Sequence, residues 1–344
     1  MKTTRRPASL RMVAARAGVS IATVSRVVNG NPGRISQSTA DLVNDVARAL
    51  DYRSHSVGKA LRTGESRVIG VLAAKLSNPV MAAIVAAIER SLRVGGFTMV
   101  LCDTHEQADL QDEHLRELDA QLARAIIMVV AVPSRRLDEA RANGRPLIFV
   151  NRRDPGSSTS PYIGVDHYQA GRDVAAVCRA RGFSQPAVIY ASLAHTTAMQ
   201  RLDGFISGWR EMGGAGELER LGGFSDDHLE GGYFAAKALF QASRQADVII
   251  ALSDLLAYGA FRCLYERRMR VPEDIAIVSF DDGPLNAWVA PWLSAVRCSF
   301  EAIGEAAMEV LQALLHDGSC GDRIVPHEIV IRTRGEASAF PALT

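Results

Sequence analysis

Cysteine is scarce in the 344 residues: Cys102, Cys178, Cys263, Cys298 and Cys320 are widely separated and form no Cys-x-x-Cys pair. That spacing encodes neither a disulfide framework nor a zinc knuckle, and it fits a reducing cytoplasm. No stretch approaches the roughly 18 consecutive apolar residues of a membrane span, so insertion and export are not expected. No Gly-x-Gly-x-x-Gly opens a strand–helix unit, and the phosphate-loop, His-Glu-x-x-His and Gly-x-Ser-x-Gly patterns are missing. The common signatures of nucleotide, metalloprotease and hydrolase sites are therefore lacking. Isolated His, Asp and Ser residues do not make a triad. Neither an enzyme, a cofactor nor a metal site is expected.

Net charge is also small, +1, but it is unevenly divided. Residues 1–62 carry eleven Lys or Arg against three Asp, a surplus of eight, and the remainder carries an acidic excess of seven. A basic head on an acidic body suits a polyanion-binding module joined to a cytoplasmic domain, because clustered cations displace counterions from phosphates. The length predicts two or three domains.

The head has helical periodicity. Leu10, Val13, Ala14 and Ala17 share a face, with Ser9 as N-cap and Gly18 as stop. After a second cap at Ser20, Val24, Val27 and Val28 form another apolar stripe, leaving Ile21, Ala22, Ser25 and Arg26 outward. Ser36 is placed to cap a third helix, with Leu42, Val43, Val46, Ala49 and Leu50 expected inward. Two short helices joined by a glycine turn are what a helix-turn-helix requires. Ile21 and Ala22 suit thymine methyls, and Arg26 suits guanine or phosphate. Ser20, Thr23 and Ser25 suit phosphate contacts or capping. The alternative is a helical hairpin that docks on the body without reading DNA.

The runs LRMVAARAGVSIATVSRVVNG and ISQSTADLVNDVARALDY resemble the DNA-binding head of lac-repressor-like (LacI/GalR) transcriptional regulators. The resemblance implies that Ile21 and Ala22 are the operator-selecting pair, and that DYRSHSVGKALRTG is a hinge helix placing Leu61 in the minor groove. A wedge there unstacks base steps at a cost offset by the contacts that bending allows. The hinge departs from the family at Ser54-His55 and at Gly58-Lys59, and Gly58 disfavours a helix formed without DNA. The full set expected on DNA is Ser20, Ile21, Ala22, Thr23, Ser25, Arg26, Asn29, Ser36, Tyr52, His55, Lys59 and Leu61.

Beyond residue 66, short apolar runs alternate with amphipathic stretches. Val68–Ala73, Thr98–Cys102, Ile126–Val130 and Leu147–Val150 read as buried parallel strands of one α/β unit. Ala187–Tyr190, Val248–Leu252 and Ile275–Phe280 read as strands of a second. Ligands of such sheets bind at the carboxyl ends of the strands, here in a cleft between the units. The landmarks FVNRRDP, YIGVDHYQAG, MQRLDGF, ALSD and IAIVSFDD resemble, in order and spacing, the family's periplasmic-binding-protein-like effector domain.

The expected fold is thus an all-α helix-turn-helix head plus an α/β effector domain of two doubly wound subdomains. The boundaries are 1–52 for the head, 53–65 for the hinge helix and linker, 66–164 with 296–323 for the N-terminal subdomain, and 165–295 with 324–344 for the C-terminal one. The resemblance implies effector contacts at Arg201 and Asp281, where a guanidinium and a carboxylate can clamp adjacent hydroxyls. A structural ion pair is the alternative. It also assigns Asn151, Phe224, Ser253 and Met81 to the effector site, although Asn151 replaces a frequent carboxylate, Ser253 a frequent Asn, and Val80-Met81 a frequent aromatic pair.

The function implied is a transcriptional regulator, a repressor acting as a cytoplasmic homodimer on pseudopalindromic double-stranded operator DNA. Its affinity would be set by a sugar or sugar derivative. A purine or other non-sugar effector, and a small-molecule binding protein whose head does not read DNA, are the alternatives. The tail RTRGEASAFPALT has no apolar heptad, which favours a dimer over a tetramer.

Overall fold

A computed structural model describes residues 8–28, 33, 35–52, 66–193, 196–214, 218–225, 228–242 and 245–332. The chain divides into two compact units, Met1–Arg67 and Val68–Thr344.

The first unit contains α1 (Leu10–Ala17), α2 (Ile21–Val28) and α3 (Gln37–Ala49). Ser9 Oγ accepts from the Met12 amide, and Gly18 stops α1 at a left-handed φ of 66° that glycine adopts without strain. Ser36 caps α3 in the same manner as Ser9 caps α1. Val13, Ala14, Ala17, Val24, Val27, Ala40, Val43 and Ala47 make a single small core. Two expectations are corrected here: Leu42 and Ala49 are exposed. The inward stripe of α3 runs through Ala40, Val43 and Ala47, and at about 100° per residue Leu42 falls beside it.

The second unit holds two six-stranded sheets. In the first, β1 (Val68–Ala73), β2 (Thr98–Asp103), β3 (Ala125–Val129), β4 (Leu147–Val150), β5 (Tyr162–Gly164) and β11 (Arg323–Ile324) lie in the order 2-1-3-4-5-11, all pairs parallel. In the second, β6 (Pro186–Tyr190), β7 (Glu219–Gly222), β8 (Val248–Ala251), β9 (Ala276–Asp281), β10 (Ser294–Cys298) and β12 (His327–Val330) follow 7-6-8-9-10-12, with β12 alone antiparallel. This 2-1-3-4-5 order is the doubly wound pattern, with its crevice at the carboxyl ends of the strands.

Helices α4 (Pro79–Val94), α5 (Ala108–Ala120), α6 (Arg135–Ala142) and α12 (Phe300–Asp317) belong with the first sheet. Helices α7 (His167–Ala180), α8 (Thr196–Glu211), α9 (His228–Gln241), α10 (Asp254–Glu266) and the short α11 (Asn286–Val289) belong with the second. The chain passes between the sheets after β5, after β10 and after β11. Residues 296–298, expected in the first subdomain, instead complete β10, because their backbone pairs with β9 and β12. Ile324 stays with the first sheet through its pairing with Gly164.

Glycines let α7 and α8 touch backbone to backbone. A Cβ at Gly204 would stand 2.0 Å from the Tyr168 carbonyl oxygen, and one at Gly171 would stand 2.4 Å from that of Arg201. Gly204→Ala must therefore part the two helices, and a loss of about 1–3 kcal/mol in denaturant unfolding is expected.

Candidate DNA interface and effector cleft

On the head, Ile21, Ala22 and Arg26 share the exposed side of α2, while Val24 and Val27 enter the core. Ile21 is 45% exposed although it is among the most apolar side chains of the unit. Ser20 Oγ accepts from the Thr23 amide (3.1 Å) and lies 2.9 Å from Thr23 Oγ1, so this pair builds the start of α2. Ser36 is similarly engaged with Thr39 (Oγ to Oγ1, 2.8 Å). Ser25 is half-buried, and Tyr52 packs half-buried against the head core. Asn29, His55, Lys59 and Leu61 lie outside the described residues.

Within the second unit, a cavity opens where the two sheets present their carboxyl ends. Val80 and Ile84 of α4 and Ile303 of α12 face it from the first subdomain, and Arg201, Phe280 and Asp281 face it from the second. The space is about 20 Å³, enough for about one water molecule. A ligand of sugar size enters only if the subdomains or the lining side chains move apart.

Arg201 is 6% exposed and anchored in three directions. Its Nε donates to His167 Nδ1 (3.2 Å), Nη1 to the Leu252 carbonyl (2.7 Å) and Nη2 to Asp281 Oδ1 (2.7 Å). The guanidinium also lies 4.9 Å from the Phe280 ring centre. Donation to Nδ1 assigns the His167 proton to Nε2, which donates to the Asn151 carbonyl (3.3 Å). Burial, reinforced by the Arg201 charge, pushes His167 well below the usual imidazole range, so it is a neutral prop. Burial raises the Asp281 carboxyl, and Arg201 opposes that rise. A guanidinium has five N–H groups, and these bonds use three. The ion pair foreseen as an alternative is therefore formed, and it sits in the wall of the cleft.

Asn151 also lines the cavity, at the end of β4, with a left-handed φ of 64°; its carbonyl accepts from Thr197 as well as from His167. The other three effector candidates are placed elsewhere. Met81 is buried in the core of the first subdomain. Ser253 caps α10 and meets His228 Nδ1 at 3.1 Å. Phe224 is 46% exposed and is not part of the lining.

The sequence reading missed His167, Phe280 and Cys298 as lining residues. His167 had a signal, because it follows Asp166, the N-cap of α7, within the quoted YIGVDHYQAG run. Cys298 had none; burial raises its thiol to about 11, so it presents a neutral S–H. A roomier cavity of about 210 Å³, between Cys178, Phe183, Ala276 and Ile331, contains none of the effector candidates. Among the described residues no cluster of metal-binding side chains occurs, and no helix is long and apolar enough to cross a membrane.

Residues 9–55 match the family model for bacterial regulatory proteins, lacI family, and residues 175–334 match the periplasmic binding protein-like domain. The HTH-type transcriptional regulator MalR of Streptomyces coelicolor is 31% identical over 310 residues, covering 87% of this chain and 88% of that protein. The Ribose operon repressor of Escherichia coli strain K12 is 26% identical over 311 residues, covering 88% and 92%. Among solved structures, the lac repressor dimer bound to operator and the anti-inducer ONPF superposes with a TM-score of 0.84 at 25% identity, covering 95% of this chain and 98% of that one.

Proposed function

The chain belongs to the lacI family of bacterial regulatory proteins, and from that premise we propose a repressor whose grip on its operator is set by a sugar or sugar derivative held between Arg201, Asp281 and Asn151. It is a DNA-binding transcriptional regulator that acts as a dimer on operator DNA, and the members of its family are regulators rather than enzymes. Two heads on one pseudopalindrome convert weak single contacts into strong combined binding. Exposed Ile21, Ala22 and Arg26 are the assigned base-reading and phosphate contacts. Leu61 is assigned the minor-groove wedge. Bound to its operator, the protein resides with the nucleoid in the cytoplasm.

The observation that carries the effector assignment is the Arg201–Asp281 pair lining the interdomain space at the carboxyl ends of both sheets. A ligand that favours one arrangement of these walls biases the cleft between two states. A thousandfold change in operator affinity corresponds to about 4 kcal/mol of coupling, within reach of a few differential hydrogen bonds.

Two measurements test the proposal. Genomic DNA selection at moderate salt is expected to enrich one pseudopalindromic duplex; equal retention of random DNA rejects operator recognition. A thermal-shift screen of D-ribose, other sugars, sugar acids, polyols and nucleobases is expected to reveal one stabilising class, because a ligand of the native state raises its stability. A hit confined to nucleobases rejects the sugar assignment.

A further inference from the structure

The turn that carries Asp281 is held from behind by a second carboxyl group. Asp254, at the start of α10 and 3% exposed, accepts from Ser279 Oγ (2.5 Å), the Gly283 amide (2.6 Å) and Asn286 Nδ2 (2.9 Å). Those three donors span the turn: Ser279 in β9, Gly283 within the turn and Asn286 at the start of α11. Between them Asp281 and Asp282 adopt φ values of 103° and 47°, a region unfavourable to side chains and held only where the surroundings over-determine it. Asp282 is tied by Arg332 Nη1 and Nη2 (2.8 and 3.1 Å) and by Arg297 Nε (2.7 Å), which leaves Asp281 to meet Arg201. Gly283 reaches across the cleft: a Cβ there would stand 3.0 Å from Val80 Cγ2, on the first subdomain, and 3.2 Å from Asp254 Oδ2.

We propose that Asp254 is a positioning residue of the cleft: its carboxyl group clasps the 281–286 turn, and the clasp fixes both the side chain that meets Arg201 and the glycine that abuts Val80. Its consequence for ligand affinity rests on the assignment of the cleft as the effector site; the clasp itself does not.

The electrostatic setting makes the clasp sensitive to pH. Asp281 and Asp282 face Asp254 from the end of β9, and Tyr258 lies on its own helix; Arg332 and Arg297 face Asp282, while Arg201 and His228 act on Asp281. Burial, and then the like charge of Asp281, raise Asp254 to about 7. A carboxyl raised above its unfolded value supports the folded turn most fully when protonated, and this support is lost as pH rises through about 7. The protonated group can accept from Gly283 and Asn286 through one oxygen and donate to Ser279 through the other. An asparagine side chain has the same arrangement of acceptor and donor.

The test is amide hydrogen exchange on the full chain, read on peptides spanning residues 279–289, for wild type, Asp254→Asn, Asp254→Ala and Ser279→Ala. Asp254→Ala is expected to speed exchange there by about tenfold or more, with Asp254→Asn staying within about threefold of wild type. Should Asp254→Ala fail to fold, Ser279→Ala, which removes one of the three bonds, is still expected to speed exchange at 281–286. Unchanged exchange in whichever of these folds overturns the clasp. After correction for intrinsic rates, wild-type protection is expected to fall from pH 6 to 8 while that of Asp254→Asn stays level. The same pH profile in both proteins overturns the assignment, since a merely structural hydrogen bond would give it. D-ribose titrations supply the functional arm: if ribose binds wild type, Asp254→Ala is expected to weaken it by at least about tenfold and Asp254→Asn to restore it. Unaltered ribose affinity in a folded Asp254→Ala overturns the positioning role. If ribose does not bind, that bears on the sugar assignment alone, and the exchange data decide the clasp.

Discussion

Arg201→Ala is expected to leave operator binding within about threefold of wild type while removing the effector response, with ligand affinity falling by two orders of magnitude or more. The guanidinium joins α7 through His167, the residue after β8 through the Leu252 carbonyl, and β9 through Asp281. Hydrogen bonds to charged groups are worth about 1.5–3 kcal/mol each, so losing two to a ligand accounts for a factor of at least a hundred. The second unit should also lose stability, because truncation leaves Asp281 buried without its cation, at a cost of about 3–5 kcal/mol if it stays charged. Asp281 then takes up a proton more readily, and the destabilisation is larger at pH 8 than at pH 5. Arg201→Lys should not restore the response, since an ammonium lacks the planar fork that reaches three acceptors in fixed directions. Anisotropy titrations of operator DNA, with and without the stabilising ligand, measure the response; a normal one in Arg201→Ala removes this residue from the site.

The residues that were legible in the sequence are those whose placement follows from local periodicity. The caps Ser9, Ser20 and Ser36, the stripes of α1 and α2, and the apolar strands β1, β3, β4, β8 and β9 each lie within one element, where period and capping chemistry speak directly. Short strands did not announce themselves. β5 has only three residues, and β7 reads Glu-Arg-Leu-Gly, half-exposed, so neither offers an apolar run. Helix α8 starts at Thr196, five residues before Arg201, and Leu202, Phe205 and Trp209 bury their side chains from it.

The candidate site was legible only in part, for a related reason. Arg201, Asp281 and Asn151 belong to quoted runs and do line the cavity, whereas Met81 and Ser253 differ from lining residues by a turn angle or a cap. Met81 adjoins Val80 on α4, and one step of about 100° is enough to move a side chain from the cleft into the core. His167 follows the N-cap Asp166, a local signal, but the approach of α7 to α8 at glycines, which brings it to Arg201, is a long-range fact. Asp254 was part of the ALSD landmark, yet nothing in that run shows that it reaches Ser279, Gly283 and Asn286 from a different element.

Val24→Asp should have the complementary effect to Arg201→Ala: loss of operator binding with the ligand response of the second unit intact. Val24 is 0% exposed in a core that, among the described residues, holds eight buried side chains, three of them beyond the helix-turn-helix pair, in α3. A single core of this size rarely supplies more than about 3–5 kcal/mol, and an unpaired buried carboxylate costs several, so the head unfolds. Specific operator affinity is then expected to fall by at least about a thousandfold, to the level of non-specific attraction by the remaining basic residues. The cores around β1 and β6 contain no head residue, so the thermal shift given by a stabilising ligand should persist. Ile21→Ala is the contrast. At 45% exposure it removes little from the core, and it should change which base pairs are preferred rather than whether the head folds. Circular dichroism on the isolated change in helix signal, together with operator anisotropy at fixed salt, separates the two variants. A Val24→Asp protein that keeps operator affinity within about threefold contradicts the small-core account of the head, because among its described residues no second apolar core is present to absorb the charge.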